Sequence, residues 1–265
     1  MPRQRVGDIE IYYEVHGDGP QTLVLIHGAT LHSGVFREQT PDFAAHFRTV
    51  LFDNRGAGRT DQPDEPYTMR QLADDTARLM NVLQVRRAAV LGVSMGGMIA
   101  QEFAISFPER LSCLVLACTH FGGKGAIQPS PEMQAAMAAG NSASAEQRQL
   151  QLKAAFSDAT IERRPELVEK VNEIRAAHPM ASFALKRRME ALARHDTADR
   201  LPSIAIPTLV LTGREDRLVA PTNARMIAER IPNAVLKELP GGHVFFIEHP
   251  ELFNPLVIDF VKAHP

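Results

Sequence analysis

Cysteine is nearly absent: only two occur among 265 residues. Cys113 and Cys118 fall in one apolar run that reads as a buried strand. Five positions apart, they are expected on opposite faces, where a bond between them is geometrically poor. A buried, reduced pair suits the cytoplasm, and no neighbour suggests a thiolate nucleophile. Charge of one sign is also lacking. A formal net charge of −2 provides no basic stripe for nucleic acid or anionic lipid. No apolar run is long enough to cross a bilayer. The opening Met1-Pro2-Arg3-Gln4-Arg5 is not followed by the apolar stretch of a secretory signal. No metal-ligand cluster, phosphate loop or dinucleotide fingerprint is present, so no metal or other cofactor is expected. The expectation is a cytoplasmic protein whose partner is a small molecule, with no nucleic acid and no membrane; the oligomeric state stays open.

Apolar residue is plentiful, at 45% of the chain, enough for a full core in one α/β unit. The first segment alternates over 9–16 after a Gly7-Asp8 turn signal, which predicts a hairpin at a sheet edge. Short continuous apolar runs follow at 22–26, 49–52, 88–91, 114–117, 208–211 and 234–236. Runs without alternation suit parallel strands covered on both faces. Helical patterns lie between them at 69–83, 98–107, 223–230 and 251–263, the first with Leu72, Thr76, Leu79 and Leu83 on one stripe. This rhythm predicts an α/β sheet with right-handed crossovers. It breaks over 121–202, where helical patterns at 131–139, 145–156, 165–177 and 181–193 appear without a convincing strand. The organisation expected is a core over 1–120 and 203–265 with a helical insertion, 121–202, between its two parts. The Ala-rich stretch 135–145 is expected to act as a hinge.

Chemistry concentrates at Gly92-Val93-Ser94-Met95-Gly96, directly after one apolar run and directly before a helix. A serine on a sharp strand-to-helix turn projects its hydroxyl from the sheet, and the turn demands small flanking residues. The helix start adds free N–H groups and a dipole suited to a developing oxyanion. Among ten histidines, His243 in Leu239-Pro240-Gly241-Gly242-His243 follows the last strand pattern and so lies at the carboxyl edge of the sheet, as Ser94 does. His16, His178, His195 and His264 suit solvated or capping roles, while His32, His46, His120 and His249 are not decided by pattern. The carboxylate that would orient the imidazole is Asp216, on the loop after the 208–211 run, with Glu215 and Asp196 as rivals.

The chain order Ser94, Asp216, His243 resembles the α/β-hydrolase superfamily over nearly the whole length. His27-Gly28, Asp53-Asn54-Arg55-Gly56-Ala57-Gly58, and Glu248, Pro250 and Phe253 after His243 add to the likeness. The resemblance is nearest to the serine branch that holds enol-lactonases, cofactor-free haloperoxidases or perhydrolases, and small carboxylesterases. It implies a mostly parallel eight-stranded sheet flanked by helices, with a helical cap inserted after the sixth strand. It also implies an oxyanion hole made by the backbone N–H groups of Ala29 and Met95, with His27, Asp53 and Arg55 bracing loops. No tryptophan is present, whereas relatives often place one near Val35-Phe36, so Phe36 is expected to fill that space. Haloalkane dehalogenases and epoxide hydrolases of this fold carry aspartate at the elbow; serine points instead to acyl transfer.

The expected activity is cleavage of a carboxylic ester or lactone through an acyl-enzyme. Perhydrolysis by the same triad, or a hydrolase-like ligand receptor with negligible turnover, are the alternatives. Phe36, Met133, Met137, Phe156, Met180 and Phe183, with Met189, are expected to line an adaptable apolar pocket. Arg187 or Arg188 is a candidate for holding a substrate carboxylate, and a solvated helix face accounts for them equally well.

Overall fold

Five of the six continuous apolar runs form strands buried on both faces; the sixth, 234–236, opens the edge strand of the sheet, where Val235 is exposed. In β3 (Thr22–Ile26), Leu23 and Leu25 join one core layer while Val24 and Ile26 join the other. The same division runs through β5 (Ala88–Val93) and β6 (Leu111–Ala117), whose residues are all buried. A computed structural model of the chain describes residues 3–139 and 143–265. The remaining strands are β1 (Arg3–Val6), β2 (Ile9–His16), β4 (Arg48–Phe52), β7 (Thr208–Gly213) and β8 (Val235–Leu239). They form one eight-stranded sheet in the order β1-β2-β4-β3-β5-β6-β7-β8. β1 and β2 make the predicted edge hairpin, β2 meets β4 antiparallel, and every other pairing is parallel.

Helices cover both faces. The short α1 (Thr40–Ala44), α10 (Phe245–Glu248) and α11 (Pro250–Ala263) lie over one layer; α2 (Met69–Val82), α3 (Met95–Ser106) and α9 (Pro221–Arg230) lie over the other. α2 starts at Thr68, whose side chain accepts from the Gln71 N–H. It buries Leu72, Thr76 and Leu79 as the stripe predicts. α3 begins three residues before its predicted start, directly behind Ser94.

Between β6 and β7 come α4 (Pro131–Ala139), α5 (Ala145–Ala155), α6 (Asp158–Arg163), α7 (Pro165–Ala177) and α8 (Ser182–Ala193). α6 escaped the sequence reading: its single turn and a half is too short to establish a period, although Ser157 caps it through the Thr160 N–H. The 135–145 stretch, expected to act as a hinge, runs from one helix to the next. Its start belongs to α4, Ser144 and Gln147 form a capping box at α5, and 140–142 lie outside the described residues. At the base of this insertion, the Gly123 N–H donates to the His195 carbonyl and the Thr197 N–H to that of Phe121. The two chain ends of the insertion are thereby tied together.

The cysteine geometry departs from expectation. Cys118 lies one residue beyond β6 with φ +43°, so strand alternation no longer governs it, and both thiols join the same core layer. They are free and buried, and burial pushes the Cys113 thiol up to about 11. Among the described residues, no helix is long and apolar enough to cross a membrane. No group of three or more His, Cys, Asp or Glu among them is placed to hold a metal ion.

Candidate active site

The site is built where parallel strands end level with one another. Val93 of β5 pairs with Ala117 of β6, and Ala117 with Leu211 of β7. The Ser94 N–H donates to the Ala117 carbonyl and the Cys118 N–H to that of Leu211, so these strands leave the sheet at one rim. Ser94 turns there with φ +56° and ψ −122°, a backbone conformation costly for a residue bearing a Cβ. Close packing explains the flanking glycines. A Cβ at Gly92 would overlap the Gly96 carbonyl, and one at Gly96 would overlap the Ile26 carbonyl. Thr119, which sequence reasoning did not single out, donates its hydroxyl to the Ser94 carbonyl at 2.7 Å and braces the turn from the β6 side. Ser94 is half-buried, and its hydroxyl makes no hydrogen bond among the described residues.

His243 and Asp216 are brought together. His243 Nδ1 lies 2.8 Å from Asp216 Oδ2. Asp216 Oδ1 accepts from the N–H groups of Leu218 and Val219 at 2.9 and 2.7 Å. The carboxylate is therefore an acceptor on both oxygens, which assigns the proton to His243 Nδ1 and leaves Nε2 with a free lone pair. The rivals are excluded by position: Glu215 and Asp196 are both exposed. The loops carrying the pair are joined, since the Glu215 N–H donates to the Gly241 carbonyl and the Arg214 N–H to that of Leu239. Glu248, noted in the sequence only as part of a resemblance, fixes the histidine loop. Wholly buried, it accepts from the Gly242 N–H at 2.6 Å and, through its other oxygen, from the Ser157 hydroxyl at 2.6 Å. One carboxylate thus ties the residue before His243 to the insertion.

The segment after β3 approaches from the opposite side. A Cβ at Gly28 would lie 3.2 Å from Ser94 Cβ and 3.6 Å from Ser94 Oγ. Ala29 follows immediately, and Met95 is the first residue of α3, where an amide has no acceptor within the helix. His27 is buried and acts as a brace: Nε2 accepts from the Asn54 N–H at 2.9 Å, so Nδ1 donates to the Gly28 carbonyl at 2.8 Å. Burial lowers its pKa, with the Arg188 cation adding to the effect. Asp53 accepts from the N–H groups of Ser33 and Arg59, and Arg55 pairs with Asp8 and Asp75. These three hold loops, as the resemblance implied.

The histidines left undecided also find their places. His32 lies 2.7 Å from the Ile174 carbonyl and accepts from the Gly34 N–H; His46 is exposed; His249 sits 3.2 Å from Glu251. His120 accepts from the Gly122 N–H at 3.0 Å, and burial pushes its pKa down to about 4, with His243 contributing to the depression.

The residues expected to line an apolar pocket differ widely in burial. Phe36 is fully buried in the core with its ring 6.2 Å from that of Phe246. Phe156 is buried against the histidine loop, since a Cβ at Gly242 would meet its backbone carbon at 2.6 Å. Met133 is buried and Met180 half-buried, whereas Met137, Phe183 and Met189 are exposed. For Phe183 and Met189 the reason lies in α8, which turns Ala184, Arg188 and Ala191 inward. Arg187 and Arg188 are both already engaged. Arg187 pairs with Asp64 and Glu190, and Arg188 donates to three backbone carbonyls.

A strained serine between a level strand end and a helix start, with an Asp–His pair on adjoining loops, defines the class of protein. A family profile described as the alpha/beta hydrolase fold matches residues 21–250, and the chain belongs to that family. Its relatives include proteins named as an enol-lactonase, a carbamate hydrolase and a bromoperoxidase. The chain is 29% identical to 3-oxoadipate enol-lactonase 2 of Acinetobacter baylyi, over 96% of this chain and 94% of that protein. It is 29% identical to a protein of Azorhizobium caulinodans provisionally named as a carbamate hydrolase, over 98% of each. Among solved structures, the enol-lactonase of Burkholderia xenovorans superimposes with a TM-score of 0.88 at 26% identity, over 98% of this chain and 100% of that one.

Proposed function

We propose that the protein is a serine hydrolase that cleaves a small to medium, largely apolar carboxylic ester or lactone, with Ser94 as nucleophile. The observation that carries this reading is the 2.8 Å contact between His243 and Asp216 at the strand-end rim where Ser94 turns out of the sheet. With Nδ1–H engaged by Asp216, Nε2 is the basic nitrogen available to take the serine proton. Ser94 Oγ then attacks the carbonyl carbon. The oxyanion is received by the N–H groups of Ala29 and Met95, where the positive end of α3 adds to the stabilisation. The His243 imidazolium returns its proton to the departing alcohol or enol oxygen. Water, deprotonated by His243, then attacks the acyl-enzyme, and the imidazolium returns that proton to Ser94 Oγ as the carboxylic acid departs. The engagement of Arg187 and Arg188 by the protein itself favours an uncharged ester over a dicarboxylic lactone anchored by either guanidinium.

The test pairs a fluorophosphonate label with a panel of p-nitrophenyl esters, lactones and, because of the relative named for it, a carbamate. Labelling is expected at Ser94. Ser94→Ala is expected to fold normally and to lose turnover on the order of 10⁶-fold on whichever panel member the wild type cleaves. Retention of most activity by that variant would sink the assignment.

A further inference from the structure

Arg188 is a buried cation on α8 of the insertion, 0% exposed, yet no carboxylate of the described residues pairs with it. It instead donates to backbone carbonyls: Nη2 to Gly28 at 2.8 Å, Nε to Ala29 at 3.0 Å and Nη1 to Arg55 at 2.9 Å. Burying a guanidinium without a counter-ion is costly, and burial pushes its pKa down to about 10, which still leaves it charged at neutral pH. Such a site is maintained only where the planar fork of donors does something that an apolar side chain would not.

The peptide it grips explains what that is. The Gly28 carbonyl and the Ala29 N–H belong to one peptide unit, which is trans, so the two groups point in opposite directions. The carbonyl is held by Arg188 on one lone pair and His27 on the other. The Ala29 N–H has no acceptor among the described residues, and the Gly28 position lies against the Ser94 hydroxyl. We propose that Arg188 is a positioning residue for the oxyanion hole: by fixing the Gly28 and Ala29 carbonyls it sets the Ala29 N–H, so that the insertion, not the core alone, completes the site. This rests on the serine-hydrolase reading above. It separates Arg188 from a residue that merely fastens the insertion, because the group it orients is used only when negative charge develops on the substrate oxygen.

The experiment compares Arg188→Met and Arg188→Lys with the wild type, using p-nitrophenyl acetate as substrate and phenylboronic acid as a ligand that forms a tetrahedral adduct on serine. For Arg188→Met the expected result is a kcat lowered roughly 10- to 100-fold, below the cost of deleting a whole oxyanion donor, with KM within about threefold. Boronate affinity should fall by the same factor as kcat/KM. Arg188→Lys, which keeps the charge and one donor, should recover part of both losses. A folded Met variant with kcat within threefold of wild type, a loss confined to KM, or a fall in kcat without loss of boronate affinity would each overturn the proposal. Should neither variant fold, a crystal structure of the wild-type boronate adduct decides. A boronate oxygen hydrogen-bonded to the Ala29 N–H, with Arg188 still on the Gly28 carbonyl, supports it; an oxygen elsewhere, or a Gly28 carbonyl turned away from Arg188, overturns it. A wild type that fluorophosphonate does not label at Ser94 sinks both readings, whereas a labelled wild type with unaffected variants sinks only this one.

Discussion

Asp216 illustrates how a single side chain is constrained by everything it accepts. One oxygen takes the N–H groups of Leu218 and Val219, and the other takes His243 Nδ1–H. In Asp216→Asn the amide oxygen would stay with the two backbone donors, because the NH₂ group cannot accept from them. That places the NH₂ against His243 Nδ1, reverses the imidazole tautomer, and puts a proton on Nε2 where a lone pair is needed. The expected outcome is a fall in kcat on the order of 10⁴-fold with the fold retained, read by steady-state kinetics beside a thermal melt. The placement of Asp216 beside His243 was legible from its position after a strand; its bond to the loop backbone was not, since Leu218 and Val219 carry no polar side chain to announce it. Arg188 was likewise visible only as a charge on a helix, because its acceptors are backbone carbonyls more than a hundred residues away.

At the level of elements, the inner strands of the sheet were legible because each run has apolar residues at successive positions, and both faces of these strands are covered; the 234–236 run misled, since it belongs to an edge strand with Val235 exposed. What failed were readings that depend on where a helix faces its neighbours. α8 has apolar residues around much of its circumference, so composition could not say that Ala184, Arg188 and Ala191 turn inward while Phe183 and Met189 turn out. The elbow is the reverse case, since its sequence and its geometry imply one another. Gly96 sits where any Cβ would strike the Ile26 carbonyl at the end of β3, and β3 is held on both sides by its neighbours. Neither backbone can retreat without breaking sheet bonds. Gly96→Ala is therefore expected to destabilise the protein by about 1–3 kcal/mol or more, seen as a lowered urea midpoint. It should also depress activity beyond that loss, because Ser94 precedes the strained contact by two residues. An unchanged midpoint would mean that the strand and the elbow can separate freely.

Across the whole molecule, the insertion and the core share buried polar groups rather than a simple apolar seam. Glu248 reaches Ser157, Arg188 reaches the segment after β3, and His32 meets the Ile174 carbonyl. Buried histidines near this seam have a measurable consequence. His195, at the base of the insertion, is 3% exposed, and desolvation first, then the charges of His120 and Arg200, push its pKa down to about 3. The unfolded chain protonates the same ring near pH 6.5. A folded pKa below the unfolded one means that the unfolded state takes up protons first on acidification, so stability is complete above about pH 6.5 and is lost as the pH falls. Between pH 7 and pH 5, where carboxylates stay largely ionised, His195 alone should withdraw on the order of 2 kcal/mol. His120 and His27, also depressed by burial, act in the same direction. The expected result is a melting temperature that falls steadily from pH 7 to pH 5, with a shallower slope in His195→Asn, whose amide cannot titrate. Equal slopes in the two proteins would show that His195 gains its proton without unfolding, and that the base of the insertion opens to water more readily than its burial implies.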